Sequence, residues 1–108
     1  MGQVQLTVTH HENFIGTTKA ATITIGRKDE APVFTKKLSR EAFMAFRTKV
    51  RASIKGWEKF GEGNECNKEV ERDDAKHVEK VLQELCMLLP EEKKKLDEFL
   101  NGKEGKKN

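Results

Sequence analysis

Apolar and polar side chains alternate in two separate stretches near the start of the chain. In the first, Val4, Leu6 and Val8 fall on one side and Gln3, Gln5, Thr7 and Thr9 on the other. A period of two is the mark of a strand with one face buried. The second stretch repeats it, with Ala21, Ile23 and Ile25 set against Thr22 and Thr24. β-Branched residues dominate both, and such side chains pack well on a pleated surface. Asn13 and Gly16 mark a turn or long hairpin loop between the two stretches, and "RKDEAP" marks a second turn. "VFTKKL" then returns as a third strand. Three such segments predict an antiparallel sheet, and Phe14–Lys19 offers a possible fourth strand.

The period changes after Leu38. Ser39 is a good N-cap, Glu41 lies in the first turn, and Phe43, Phe46, Val50 and Ile54 follow at helical spacing, with Trp57 near the end. These five form one apolar stripe that serves as core or as a dimer face. Gly56 and "GEGN" stop the helix. A second helix is predicted from about Glu71 to Leu89, with Val78, Val81, Leu82 and Leu85 along one side. Pro90 breaks it and opens a short third helix whose inward residues are Leu96, Phe99 and Leu100. The predicted class is α+β: an antiparallel sheet of three to four strands, an amphipathic helix and a C-terminal helical hairpin. Residues 1–57 make the sheet and helix, 58–69 a loop, and 70–102 the hairpin, packing on the core or on a partner. The polar end, 103–108, is expected to be a disordered tail.

Composition adds a constraint on size. Of 108 residues, 35% are hydrophobic and 36% charged, so the core is small for the length and a homodimer is expected. No apolar run approaches the roughly 18 residues of a membrane span, and the first ten residues lack the features of a signal peptide. An intracellular location, in cytoplasm, nucleoid or nucleus, is therefore expected, with Cys66 and Cys86 as free thiols. The net charge of +3 hides an asymmetry: residues 1–57 carry ten Lys or Arg against four acids, and residues 58–108 eleven against fourteen.

Catalytic chemistry finds little support. Neither CxxC nor HxxxH occurs, and neighbouring strand residues His10 and His11 point to opposite faces, so no metal is expected. Cys86 lies in the apolar "LQELCMLLP", where it reads as a small hydrophobe, and Cys66 lies in an acidic setting. Phosphate-loop, dinucleotide-loop and nucleophile-elbow motifs are missing. The expectation is a non-enzyme without cofactor.

The cations carry more. Arg40, Arg47 and Arg51 recur at i, i+7 and i+11, which lines them along one stripe of the predicted helix, roughly a quarter turn from the Phe stripe. Lys19, Arg27, Lys28, Lys36 and Lys37 flank the strand ends. Arginine forks onto phosphate oxygens. Phe14 and Phe34 are candidate stacking platforms for unpaired bases on an open sheet face, although a phenylalanine in the place of Phe34 is more often core than platform. A solvated helix face is the plain alternative for the basic stripe.

The run "VFTKKLS" followed by "REAFMAFRTKVRASI" resembles the strand, basic turn and helix of the transcriptional positive-cofactor-four family over about residues 20–57. That resemblance implies single-stranded DNA binding by a curved four-stranded sheet with one helix after it. It implies DNA contact by Lys19, Arg27, Lys28, Lys36 and Lys37, and a dimer packed through Phe43, Phe46, Val50 and Ile54. The helical hairpin has no counterpart there. The function expected is therefore nucleic-acid binding, single-stranded DNA favoured, in transcription, replication or recombination. The alternative is an adaptor or inhibitor that binds a protein through residues 70–102.

Overall fold

A computed structural model describes residues 4–11, 20–61 and 65–101. Seven elements follow in order: β1 (Val4–His10), β2 (Ala21–Gly26), β3 (Phe34–Leu38), α1 (Arg40–Ser53), β4 (Glu65–Val70), α2 (Arg72–Glu84) and α3 (Pro90–Leu100). The four strands form one antiparallel sheet in the order β3-β2-β1-β4. This is the expected α+β arrangement of a sheet, a following helix and a C-terminal helical pair.

The alternation in β1 and β2 sorts the two faces. Val4, Leu6, Val8, Ala21, Ile23 and Ile25 are all buried, together with Phe34 and Leu38 of β3. The helices cover this inner face: α2 touches β1 and packs between α1 and α3, and α3 lies against β3. Phe43, Phe46 and Val50 of α1, Val78, Val81 and Leu82 of α2, and Leu96, Phe99 and Leu100 of α3 complete the core. Each large side chain taken fully out of water contributes about 1.5–3 kcal/mol, so this interior dominates the stability. Ile54, Trp57 and Phe60 join it, with the Phe46 and Phe60 rings edge-on at 5.9 Å. Phe43, Phe46, Val50, Ile54 and Trp57 are thus core residues of a single chain, and the dimer face proposed for them is already occupied.

Two expectations change. Residues 58–69, read as a loop, contain β4 from Glu65 onward, and the fourth strand follows α1 in the chain. Its register places Val70 beside Val4 and Lys68 beside Leu6, both inner positions. Lys68 meets the inner face through its ammonium, 4.9 Å from the centre of the Trp57 ring. A cation–aromatic contact replaces the apolar residue that would have revealed the strand. Phe14–Lys19, the other candidate for a fourth strand, lies outside the described residues.

The second difference is the end of α2, at Glu84 rather than near Leu89. Cys86 adopts φ 60°, its N–H bonds the Gln83 carbonyl, and the Met87 N–H bonds the Leu82 carbonyl at 2.8 Å. This pair of backward bonds with a left-handed residue is the Schellman ending, usually built on glycine. Cys86 is consequently exposed and outside the helix rather than buried within it. Pro90 then opens α3, and Glu92 turns back to accept the Leu89 N–H at 2.9 Å.

Candidate polyanion-binding surface

Helix α1 forms where it does because Ser39 accepts the Ala42 N–H at 3.2 Å and the Phe stripe has a sheet to cover. At about 100° per residue, Arg40, Arg47 and Arg51 fall within roughly 40° of one another around its axis. The spacing along the axis is about 1.5 Å per residue, so the row runs for roughly 16 Å. Arg40 is exposed, and Arg47 and Arg51 are half-buried.

The turn after the helix holds two of the three. Arg51 Nε donates to the Phe60 carbonyl at 2.8 Å. Gly61 has φ +84°, and a Cβ there would stand 2.9 Å from Arg47 Cδ. Only glycine satisfies both the left-handed backbone and the close approach of the arginine stem. Trp57 and Phe60, their rings 5.4 Å apart, fix the turn to the core. His10 adds a second tie, its Nε2 lying 3.1 Å from the Gly61 carbonyl and its ring edge-on to Phe43. Arg51 Nη2 is buried without a hydrogen-bond partner among the described residues. A buried donor left unmade costs about 1–3 kcal/mol. Neither Arg40 nor Arg47 has a carboxylate partner among the described residues, and the solvent side of α1 beside them is a shallow groove of Met44, Ala45, Thr48 and Ala52. Lys49 on that side is held by Glu84 at 3.5 Å.

The sheet cations are distributed differently. Lys36 points inward and binds Glu92 of α3 at 2.9 Å. Glu92 is partly desolvated, which opposes ionisation, but the Leu89 N–H and Lys36 outweigh this and hold its carboxyl below the usual range. Lys28 is 3.8 Å from Glu69, and Arg27 is 3.7 Å from Glu30 and stacks 5.1 Å from the centre of the Phe99 ring. Lys37 stands exposed, opposite Thr22 on the outer face. Arg27 and Lys28 follow β2 at one end of the β2–β3 ladder, whereas Lys37 and Arg40 stand at the other. The cations expected to converge on one uncovered surface therefore divide into the α1 row with its neighbour Lys37, and a second set engaged by carboxylates or by Phe99. Lys19 lies outside the described residues.

The outer face of the sheet is polar. The register sets Asn67, Thr7, Thr24 and Thr35 in one rank across four strands, and Thr7 Oγ1 donates to Asn67 Oδ1 at 2.9 Å. Phe34 is 4% exposed and belongs to the core, so its ring is no platform for a base. Phe14, the other proposed platform, lies outside the described residues. His10 and His11 do point to opposite faces, His11 Nε2 meeting Thr22 Oγ1. Among the described residues no three His, Cys, Asp or Glu side chains gather to hold a metal ion, and no helix is long and apolar enough to cross a membrane.

Three features of this surface had no clear signal in the sequence: the Phe60 carbonyl, Gly61 and the acid Glu92. Gly61 alone had a cue, as one of two glycines flanking Glu62. The other two act through a backbone atom and through a partner 56 positions away in the chain. Comparison with known proteins assigns no relatives: no family model, no curated protein and no solved structure matches the chain.

Proposed function

We propose that this chain is a non-catalytic nucleic-acid-binding protein that grips the phosphate backbone through the arginine row of α1. The observation that carries the reading is the row itself: Arg40 and Arg47 stand without a carboxylate partner among the described residues, and Arg47 and Arg51 are pre-set by the Phe60–Gly61 turn. Guanidinium groups fixed before binding lose little freedom on meeting a phosphate. The positive end of the α1 dipole, flanked by Arg40 and Lys37, adds attraction for an anion. With Phe34 in the core, the reading rests on backbone charge rather than base stacking, so single strands hold no special advantage over duplex.

Titration of the full chain with fluorescent single- and double-stranded oligonucleotides, at two salt concentrations, tests this. Binding is expected to weaken steeply with salt. The double variant Arg40→Gln, Arg47→Gln lowers the log–log salt slope by about 1.8 on duplex and about 1.4 on single strands, at roughly 0.9 and 0.7 per phosphate contact. A wild-type chain that leaves both oligonucleotides unbound at low salt refutes the proposal, as does a double variant that binds like the wild type.

A second reading has one observation in its favour. Leu89 is 53% exposed, the one large hydrophobic residue so exposed among those described, and it adjoins half-buried Leu85, Met87 and Leu88. An adaptor that docks a protein through the α2–α3 connection would use this patch. Leu89→Asp then abolishes partner capture while leaving oligonucleotide binding intact.

A further inference from the structure

We propose that the seam between α2 and α3 is a proton-held latch: one proton shared by Glu79 and Asp97 keeps α3 seated on the sheet, and its loss lets α3 open. Glu79 is the only buried charged side chain among the described residues, at 8% exposure, on a helix face otherwise made of Ala75, Val78 and Leu82. The Asp97 carboxyl of α3 stands beside it across the seam, where it bonds Glu79 in its protonated form and repels it once ionised. Two carboxylates can share such a bond only while one of them keeps a proton. Asp97 is the one already answered by a cation, with Lys93 Nζ 2.7 Å from its Oδ2. The proton therefore resides on Glu79, and Glu79, Asp97 and Lys93 together carry no net charge. Glu79 Oε2 has no partner of its own. Once the proton leaves, that oxygen bears charge in a dry position opposite Asp97, and the seam gains an uncompensated negative charge.

The surroundings offer little rescue. From α3, Asp97 repels the Glu79 charge and Lys93 attracts it; from its own helix, Lys76 attracts it. Lys49 of α1 is engaged by Glu84, and β1 presents Val4, Leu6 and Val8 to the inner face. Burial first, and then the bond to Asp97 and its charge, push the Glu79 acid up to about 8 from its usual 4.5. Helix α3 is the element placed to respond. It has eleven residues, and outside this seam the Lys36–Glu92 pair, the Arg72 bond to the Phe99 carbonyl and the Arg27 and Arg72 guanidinium groups on the Phe99 ring tie it to the sheet and to α2. A short helix held this way opens at lower free energy than the central strands.

Hydrogen exchange of the full chain, followed amide by amide from pH 5 to 9 and corrected for intrinsic rates, tests the latch. The opening constant of α3 amides is expected to rise by up to tenfold per pH unit to about pH 8 and then level off. The amides of β1 and β2 stay more protected than those of α3 throughout. In Glu79→Gln the side-chain amide still donates to Asp97 but never ionises, and the rise disappears. The latch is overturned by a pH-independent α3 in the wild type, by the same rise in the variant, or by α3 amides as protected as those of β1. A carbon-detected titration of the Glu79 carboxyl in the wild type decides the matter even if the variant folds poorly: a midpoint at the ordinary glutamate value ends the proposal. None of these readouts depends on nucleic-acid binding.

Discussion

Cys86 shows how much one backbone angle decides. Left-handed φ costs an L-residue roughly 1–2 kcal/mol because Cβ crowds the following carbonyl. The chain tolerates that at Cys86 because both backward hydrogen bonds of the helix ending are made and Met87 is half-buried against the core. Glycine at this position keeps those bonds and removes the crowding, at the expense of a more flexible unfolded chain. Cys86→Gly is therefore expected to stabilise the protein by about 0.5–1 kcal/mol, read as a higher midpoint in urea at unchanged slope. Gly61 illustrates the opposite case. Its left-handed φ is already met by the right residue, and the space a Cβ would take belongs to the Arg47 stem.

At the level of elements, legibility followed the strength of each local pattern. β1, β2 and α1 carry clean periods, and the Ser39 cap fixes where the sheet gives way to helix. β4 has one apolar residue with a described inward position, Val70, and otherwise reads as charged chain, because Lys68 reaches Trp57 through space rather than through sequence. The end of α2 was hidden because Leu85–Leu89 is apolar throughout and holds no glycine to announce a stop. The arginine row was legible from spacing alone, whereas the neutralisation of Lys36 by Glu92 depends on how α3 docks against β3. That pair also bears on β3, an edge strand of the sheet among the described residues. An inward-pointing charge on an edge strand discourages pairing with another sheet. Both partners are about three-quarters buried, at 23% and 24% exposure, where an ion pair gains little over a well-packed apolar side chain. Lys36→Met combined with Glu92→Gln, which removes both charges and keeps an acceptor for the Leu89 N–H, is thus expected to change stability by less than about 1 kcal/mol. It nevertheless makes the chain associate through its β3 edge, seen as a concentration-dependent rise in sedimentation coefficient that the wild type lacks.

For the whole molecule, the acidic groups act in opposing directions on stability, and their signs can be followed through the pH scale. Bonding from Glu79 and Lys93 holds the Asp97 carboxyl below its usual range against some burial, and Glu92 is also held low. For such groups the unfolded chain takes up protons first as pH falls, so their stabilisation is present above about pH 4 and is lost in more acidic solution. Glu79 runs the other way. Its folded value of about 8 exceeds its ordinary 4.5, so the folded chain keeps a proton that the unfolded chain has released. Its contribution is whole below pH 4.5, declines between 4.5 and 8 by at most about 1.4 kcal/mol per pH unit, and changes no further above 8. The two trends cross near pH 4.5, on the acid side of the range where most proteins are steadiest. Thermal unfolding across pH 3 to 9 is accordingly expected to give a midpoint that peaks near pH 4.5 and falls toward pH 8. Glu79→Gln keeps the acid limb, which belongs to Asp97 and Glu92, and flattens the alkaline one. A wild-type profile level from pH 5 to 8 would mean that the Glu79 carboxyl reaches water in the folded chain, and the Glu79–Asp97 pair would then have no part in holding α2 to α3.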